Sequence, residues 1–492
     1  MVEIITITIY IFLLSAIMVY CFLELGLAWS YLKAQKEVKE EKTFPEGLAE
    51  EDYPMVTIQL PVFNEMYVME RLIDTVAAFD YPKSRLEIQV LDDSTDETLE
   101  ISRKKVEEYK AKGFDISLHH RVDRSGYKAG ALQKGTLVCK GEFIAIFDAD
   151  FMPHPDFLMR TIPYFDRDDV GVVQSRWQHI NDNYSLLTRV QAFFLDAHFT
   201  VEQKGRNANG YFINFNGTAG VWRKSTIADA GGWQADTLTE DLDLSYRAQL
   251  KGWKFIYREE VLSPAELPAD MHAFKSQQFR WIKGGAETAR KLLPQVLRSK
   301  FPFSVKLNAF THLLSSSVYV LIFLLVSVSI PLLFVKNTYF DSPYIHYSTP
   351  FLMTTVAVAI MYFVSSGPKV YQLKGFLNYL VMLPLFLIVT MGLSLHNALA
   401  VLRGFSGEKT PFIRTPKFNL MAKSDNWEAK KNYVSRKLDW LTILEGGMAI
   451  YFLVGIAYGI RNMDFSLMPI HIMAFLGFST VFYYSMRQAL TR

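Results

Sequence analysis

Phe143 to Phe151 reads FIAIFDADF: five apolar residues run into two aspartates, Asp148 and Asp150, separated by one alanine. A short, wholly apolar run predicts a strand buried on both faces of a parallel sheet. Side chains two apart on a strand emerge on the same side, so the two carboxylates are expected together at the carboxyl edge, where open α/β sheets bind ligands. Hard oxygen donors in that place suit a divalent cation and a diphosphate. Asp166-Arg167-Asp168 and Asp241-Leu242-Asp243 have the same spacing, so context must decide among them.

Upstream the chain alternates strand and helix. Strands are predicted over 56–60, 86–91 and 116–119, each followed by a helical pattern, over 70–79, about 97–112 and 129–139. That alternation builds a parallel sheet with its functional residues on the loops after the strands. Three such loops carry acids: Glu65, Asp92 with Asp93, and Asp148 with Asp150. One acidic loop is ordinary turn chemistry, but three on one sheet edge make a constellation. A nicotinamide enzyme shares the architecture, yet Gly-x-Gly-x-x-Gly is absent after the first strand, as is a Walker loop. A cradle of acids fits a nucleotide held by its hydroxyls, with its phosphates on a metal.

Downstream, Lys128 stands between Gly126 and Gly130 at the start of a helix, a place for a diphosphate. Asn216-Gly217-Thr218-Ala219-Gly220 reads as a tight floor that lets a substrate approach the backbone, with a plain sheet turn as the alternative. Thr239-Glu240-Asp241-Leu242-Asp243 follows a Gly-Gly-Trp turn and opens a helix. Acids there suit the helix dipole, with Thr239 as N-cap; the functional reading makes one of the three, Glu240, Asp241 or Asp243, a general base. Gln277, Arg280 and Trp281 share one helix face, an amide, a fork-shaped cation and a large ring suited to a phosphate and a sugar, and Gly284-Gly285 is expected to end or bend that helix.

The composition hides two materials. Half the residues are hydrophobic and 21% are charged, with 52 basic against 50 acidic, so no nucleic-acid partner is implied. The two cysteines give no disulfide framework, and the polar part is expected in a reducing compartment. Ile4 to Trp29 is apolar for long enough to cross a bilayer, and the charged run 33–42 follows it. Further apolar blocks lie at 307–335, 350–366, 376–400, 441–460 and 467–486. The loop 336–348 has one lysine, whereas 401–440 has nine basic residues, so the first is read as external and the second as cytoplasmic. Parity then requires one block not to cross, and 376–400, with Pro384 and the polar Ser394-Leu395-His396-Asn397 stretch, is read as re-entrant or interfacial. The expected organisation is an anchor at 1–31, a charged linker at 32–52, a catalytic domain at 53–300 and a membrane bundle at 301–492 with five or six membrane helices in all.

The segments VLDDSTDE, GYKAGAL, AIFDADF, FNGTAGVWR, TEDLDLSYRAQLKGW and QQFRW, in this order over about 55–290, resemble the family 2 glycosyltransferases with the GT-A fold. Within them the wording is most similar to the membrane-embedded synthases of the cellulose synthase superfamily, in particular the cellulose-synthase-like A and C branches that make β-1,4-mannan, glucomannan and the glucan of xyloglucan. The resemblance implies a cytoplasmic, Rossmann-like mixed sheet between an amino-terminal membrane helix and a carboxyl-terminal helical bundle. It implies Asp92 and Asp93 at the nucleoside, Asp148 and Asp150 on Mg²⁺ or Mn²⁺, and Asp241 as base. It further implies Gln277 and Arg280 at the donor and Trp281, with Gly217 and Thr218 beneath, at the acceptor. Phe412, Thr415 and Lys417 match a cytoplasmic gating loop, F-x-V-T-x-K, in which Arg414 here replaces the valine. The expected activity is inverting transfer of a hexose from GDP-mannose or UDP-glucose to a growing polysaccharide, with a single sugar added to a membrane lipid as the alternative. The expected setting is a bacterial inner membrane, with export or cell-envelope proteins as partners.

Overall fold

In the computed structural model, residues 1–37, 41–339, 348–421, 424–425 and 439–490 are described. Seven strands form one sheet in the order β3-β2-β1-β4-β6-β5-β7: β1 Val56–Val62, β2 Leu86–Asp92, β3 Asp115–His120, β4 Phe143–Ile146, β5 Val170–His179, β6 Gly220–Arg223 and β7 Lys254–Ala265. β1 to β4 run parallel, as the strand–helix alternation requires, and β6 runs antiparallel to both β4 and β5. Helices Met69–Ala77, Thr98–Ala111 and Tyr127–Val138 supply the crossovers. β2 and β4 are buried along their full length, and Ile58, Leu60, Ile88, Val90, Phe143 and Ala145 pack into the core on one face. Chain order reverses between β1 and β4, and the crevice at their carboxyl ends is where such a sheet offers room for a ligand.

The opening stretch folds differently from the strand expectation in one respect. β4 stops at Ile146, and Asp148 to Asp150 lie in a turn in which Phe151 N–H donates to Asp148 O at 3.1 Å. Thr218 Oγ1 accepts from Asp148 N at 2.8 Å, filling the ladder position a longer strand would have used. The two carboxylates are therefore gathered into the cleft by a turn, and strand alternation plays no part.

The sheet domain continues into Met271–Arg298, an unbroken helix that runs straight through Gly284 and Gly285, contrary to the expected bend. These glycines admit neighbours instead. A Cβ on Gly284 would stand 2.6 Å from Thr239 Cγ2, and one on Gly285 would stand 2.7 Å from Ser316 Oγ. The apolar block 307–335 is likewise two elements, Phe303–Leu313 and Val318–Tyr339, parted by a short 3-10 turn at Ser315–Ser317. Val305, Ala309 and Leu313 bury the first of these against Ala289, Leu292 and Val296.

Among the described residues, four helices are long and apolar enough to cross a membrane: Glu3–Gln35, Ser315–Asn337, Leu373–Ser406 and Trp440–Arg461. Ser348–Ser365 and Met468–Leu490 complete the bundle. Leu373–Ser406 is continuous through Pro384 and so does not re-enter, because the one hydrogen bond a proline forfeits is not enough to turn a helix whose other bonds hold. Its contacts with the sheet domain and its long helix recur along its length: Asn378 with Arg189, Phe386 with Phe193 and Phe194, His396 with the carbonyl of Lys275, and Gly404 against the carbonyl of Lys283. Two buried ion pairs also fasten the units together, Arg206 to Glu24 of the first helix at 3.1 Å and Lys275 to Glu445 at 2.8 Å. Of the basic segment 401–440, Lys423, Lys430, Lys431, Arg436 and Lys437 lie outside the described residues.

Candidate active site

The loop after β1 carries Glu65, with Asn64 in the left-handed region (φ 55°) and its N–H held by Ser94 Oγ at 2.8 Å. Asn is one of the few side chains that accept this conformation cheaply. Glu65 faces the cleft and pairs with Arg414 at 3.0 Å. Burial, only partly offset by Arg414, pushes its carboxyl up to about 8. After β2, Asp93 lines the cleft and takes a two-pronged contact from Arg121, 2.7 Å from Nε and 2.5 Å from Nη2. Asp92 corrects the expectation. It is fully buried, its Oδ1 accepts from Ser94 N at 2.6 Å, and it shapes the turn without reaching the cleft.

Tyr127–Val138 starts where Gly126 (φ 71°) turns the chain, and Gly130 is required because a Cβ there would lie 2.2 Å from Ser125 O. The helix start delivers Lys128 into the cleft, where its ammonium donates to Asp148 Oδ1 at 2.5 Å and to Gly217 O at 2.8 Å. Burial opposes its charge, but Asp148, Glu240 and Asp241 outweigh that and hold its pKa above the usual lysine range. Gly217 (φ +78°) passes beneath Asp241: a Cβ there would approach Asp241 Oδ2 to 3.0 Å. Thr218 does not line the cleft. It is fully buried, spent on Asp148 N and Ile146 O.

Glu240–Leu250 opens on three acids, and packing separates their roles. Asp243 is fully buried and neutralised by Arg247 at 2.7 Å and Lys291 at 2.8 Å. Glu240 and Asp241 are left facing the cleft. Burial, then the neighbouring Glu240 charge, raises Asp241 to about 7, and burial raises Glu240 as well. Thr239 is the N-cap residue but makes no side-chain cap bond, because its hydroxyl is taken by Thr288 at 3.1 Å.

Across the cleft the long helix presents Gln277, Arg280 and Trp281, and the Trp281 ring lies 6.4 Å from that of Trp177 on β5. The stretch 412–420, without regular secondary structure, lies over the opening like a strap. Phe412 stacks on Tyr127 at 5.7 Å and lies 4.6 Å from the Arg280 guanidinium. Thr415 Oγ1 accepts from Arg280 at 2.7 Å, and Lys417 Nζ donates to Asp150 Oδ2 at 2.6 Å. Burial lowers the Arg280 pKa to about 10, a drop that the acids around it limit.

Glu65, Asp93, Lys128, Asp148, Asp150, Gly217, Glu240, Asp241, Gln277, Arg280, Trp281, Phe412, Thr415 and Lys417 thus line one cleft, while Asp92 and Thr218 stand behind it. Arg124, Trp177, His179 and Glu266 line it too and went unread in the sequence. Glu266 stands between Pro264 and Pro268 without periodicity, and Trp177 reads as a strand aromatic.

Asp148 and Asp150 bring two hard oxygen donors into the cleft, each bonded to an ammonium, Lys128 or Lys417, whose place a divalent cation would take. No group of three or more His, Cys, Asp or Glu side chains among the described residues is placed to hold a metal. Two protein carboxylates with phosphate and water oxygens completing the shell is the habit of Mg²⁺.

The family model "Glycosyltransferase like family 2" matches residues 54–284. The chain is 47% identical over 253 residues to glucomannan 4-beta-mannosyltransferase 1 of Oryza sativa subsp. japonica, covering 50% of this chain and 49% of that protein. It is 40% identical over 311 residues to glucomannan 4-beta-mannosyltransferase 2 of Arabidopsis thaliana, covering 61% and 58%. The matches therefore span about half the length of these curated relatives. Among solved structures, the mannosyltransferase PcManGT of Pyrobaculum calidifontis, in complex with GDP-Man and Mn²⁺, superposes with a TM-score of 0.56 at 18% identity, covering 82% of this chain and 99% of that one. That likeness speaks for the fold. Residues 54–284 are a family 2 glycosyltransferase domain, built into a chain of membrane-type helices.

Proposed function

We propose that the protein is an inverting, processive β-glycosyltransferase that moves a hexose from a nucleotide-diphosphate sugar to the end of a growing β-1,4-linked polysaccharide. The observation that carries this is the convergence of Asp241, raised to about 7, with Lys128, Asp148, Asp150 and Arg280 in one cleft. GDP-mannose is the favoured donor, because the plant relatives are named as glucomannan mannosyltransferases.

In the reaction the acceptor hydroxyl oxygen forms a bond to the anomeric carbon as the bond from that carbon to the diphosphate breaks. Asp241 takes the acceptor proton, help of a kind worth about 10²–10⁴-fold. The departing diphosphate gains charge, and the Lys128 ammonium and the Arg280 fork are aimed at where it develops. A divalent cation held by Asp148 and Asp150 would supply further charge neutralisation there. Gly217 keeps the floor low beneath the base, and the Trp281 face suits a sugar ring. The nucleoside is assigned to Glu65 and Asp93.

A second cavity of about 320 Å³ lies among the membrane helices, lined by Tyr20, Glu24, Phe194, His198, Tyr319 and Tyr362 among others. Leu195 and Trp281 line the first cavity, and their chain neighbours Phe194 and Ile282 line the second. That adjacency favours a polymer leaving through the bundle over a single sugar left on a lipid. With the strap on the catalytic side, Leu373–Ser406 is assigned to the interface and the other long helices to crossings, five in all. The plant relatives lend no support to a bacterial inner membrane, so only membrane residence is carried forward.

The test offers labelled GDP-mannose and UDP-glucose separately to isolated membranes and sizes the product before and after digestion by β-1,4-mannanase and β-1,4-glucanase. A long, mannanase-sensitive product from GDP-mannose is expected. Label confined to a solvent-extractable lipid would refute processive synthesis.

A further inference from the structure

Beside Asp241 the cleft floor holds a buried hydrogen-bond donor, Asn216 Nδ2, with no partner among the described residues. Asn216 lines the cleft and is 9% exposed. Both its chain neighbours are tied to the turn that carries Asp241. On one side Phe215 N donates to Ser245 Oγ at 2.9 Å, and that hydroxyl donates to Asp241 O at 2.6 Å. On the other, a Cβ on Gly217 would stand 3.0 Å from Asp241 Oδ2. Two buried amides fix which end of the Asn216 side chain is which. Gln203 Nε2 donates to the carbonyl of Asn214 at 3.0 Å, which identifies the nitrogen of Gln203. The same nitrogen donates to Asn216 Oδ1 at 3.0 Å, and Asn214 Nδ2 donates to that oxygen at 2.7 Å. Gln174 Oε1 accepts from Asn216 N at 3.1 Å, so backbone and side chain are both held. The donor Asn216 Nδ2 and the acceptors Asn214 Oδ1 and Gln203 Oε1 are left over, all buried. Buried polar atoms are matched as a rule, and a hydroxyl, which accepts one hydrogen bond and donates another, matches this set.

We infer that Asn216 is a specificity residue for the acceptor: its Nδ2 donates to the sugar hydroxyl next to the one that attacks, and Gln203 and Asn214 are positioning residues that aim it. This rests on the reading of the cleft as the site of β-1,4 transfer. In that reaction the attacking oxygen is O4 of the terminal sugar, and its neighbours are the hydroxyl on C3 and the hydroxymethyl on C5. A residue bracketed by two contacts with Asp241 is placed to hold one of these while O4 meets the carboxylate. A ring presented in another way leaves the amide unpaired, and a site built to bond a hydroxyl discriminates against a ligand that lacks it there. A role confined to holding up the floor makes no such distinction between acceptors, and that difference is measurable.

The experiment measures extension of a soluble β-1,4-linked mannose tetrasaccharide from GDP-mannose by the full-length protein in detergent. Two further acceptors lack the hydroxyl at C3 or at C6 of the terminal, non-reducing sugar. Asn216→Ala should raise the KM for the unmodified acceptor about fivefold, the scale for losing one neutral hydrogen bond, and leave the KM for GDP-mannose unchanged. One of the two deoxy acceptors should be about fivefold poorer with the unaltered protein and no poorer still with Asn216→Ala. Equal losses in the variant on all three acceptors, the result if the amide serves only the floor or a buried water, overturn the inference and leave the transferase reading intact. A raised KM for GDP-mannose with the acceptor KM unchanged puts Nδ2 on the donor sugar and overturns it as well. If the unaltered protein extends no β-1,4 oligosaccharide, the reading beneath the inference falls and takes the inference with it. Should Asn216→Ala fail to fold, Asn214→Leu takes its place, removing one of the two bonds that aim the amide. A loss on the unmodified acceptor that vanishes on one deoxy acceptor again supports the assignment, and equal losses overturn it.

Discussion

Asp241 and Asp243 sit two residues apart on one helix turn, and their surroundings give them opposite fates. Arg247 and Lys291 close on Asp243, whereas Asp241 is buried with Glu240 beside it and is pushed up to about 7. The proposed role of base requires Asp241 unprotonated, so kcat/KM should climb as pH rises through about 7. A Glu240→Gln variant, which removes the like charge second in importance to burial, should move that limb to lower pH. A profile already flat from pH 5.5 to 8 would contradict the assignment. Arg280 gives a second residue-scale prediction. Its guanidinium lies over Phe412 and bonds Thr415, a geometry a lysine cannot copy. Arg280→Lys should lower kcat by about 10²-fold, the scale for losing one oriented transition-state donor, as read in initial-rate assays on membranes. Of the candidate residues, those named by chemistry at loop ends were legible. Asp92 and Thr218 were not, because a strand end and a buried hydroxyl look in sequence like residues that face a ligand.

Helices and strands carry the next lesson. Gly284 looked like a helix stop, but it is the point where Met271–Arg298 lets the amino end of Glu240–Leu250 come close. Gly284→Ala places a methyl 2.6 Å from Thr239, and such overpacking costs about 1–3 kcal/mol. A lower melting temperature in detergent, together with reduced kcat from a displaced Asp241, is expected; an unchanged melting temperature would refute the close approach. Elements with strong local patterns, β1 to β4 and their crossover helices, were legible because apolar runs and turn residues agree there. Glycine is ambiguous by nature: it breaks isolated helices and also permits close packing, and only tertiary contact decides which. Leu373–Ser406 was hard for the same reason, since its composition suits a span while its contacts follow the catalytic unit.

For the whole molecule, the catalytic domain and the bundle are joined by buried charges that no local pattern reveals, because Lys275 and Glu445 are 170 residues apart. Their side chains are 7% and 0% exposed. Removing one partner strands a buried charge, a loss of about 3–5 kcal/mol. Glu445→Ala should therefore destabilise the detergent-solubilised protein strongly, whereas the paired Lys275→Met/Glu445→Leu variant should recover most of the loss in thermal melts. Equal stability of single and double variants would show that the pair does not hold the units together. The pair sits two residues before Gln277, so the bundle also fixes the helix that presents Arg280 and Trp281 to the cleft. The most direct test of the central claim is Asp241→Asn in native membranes given labelled GDP-mannose. The nucleotide should still bind, by equilibrium dialysis, while incorporation into polymer falls by at least about 10²-fold. Incorporation at the unaltered rate would contradict the account.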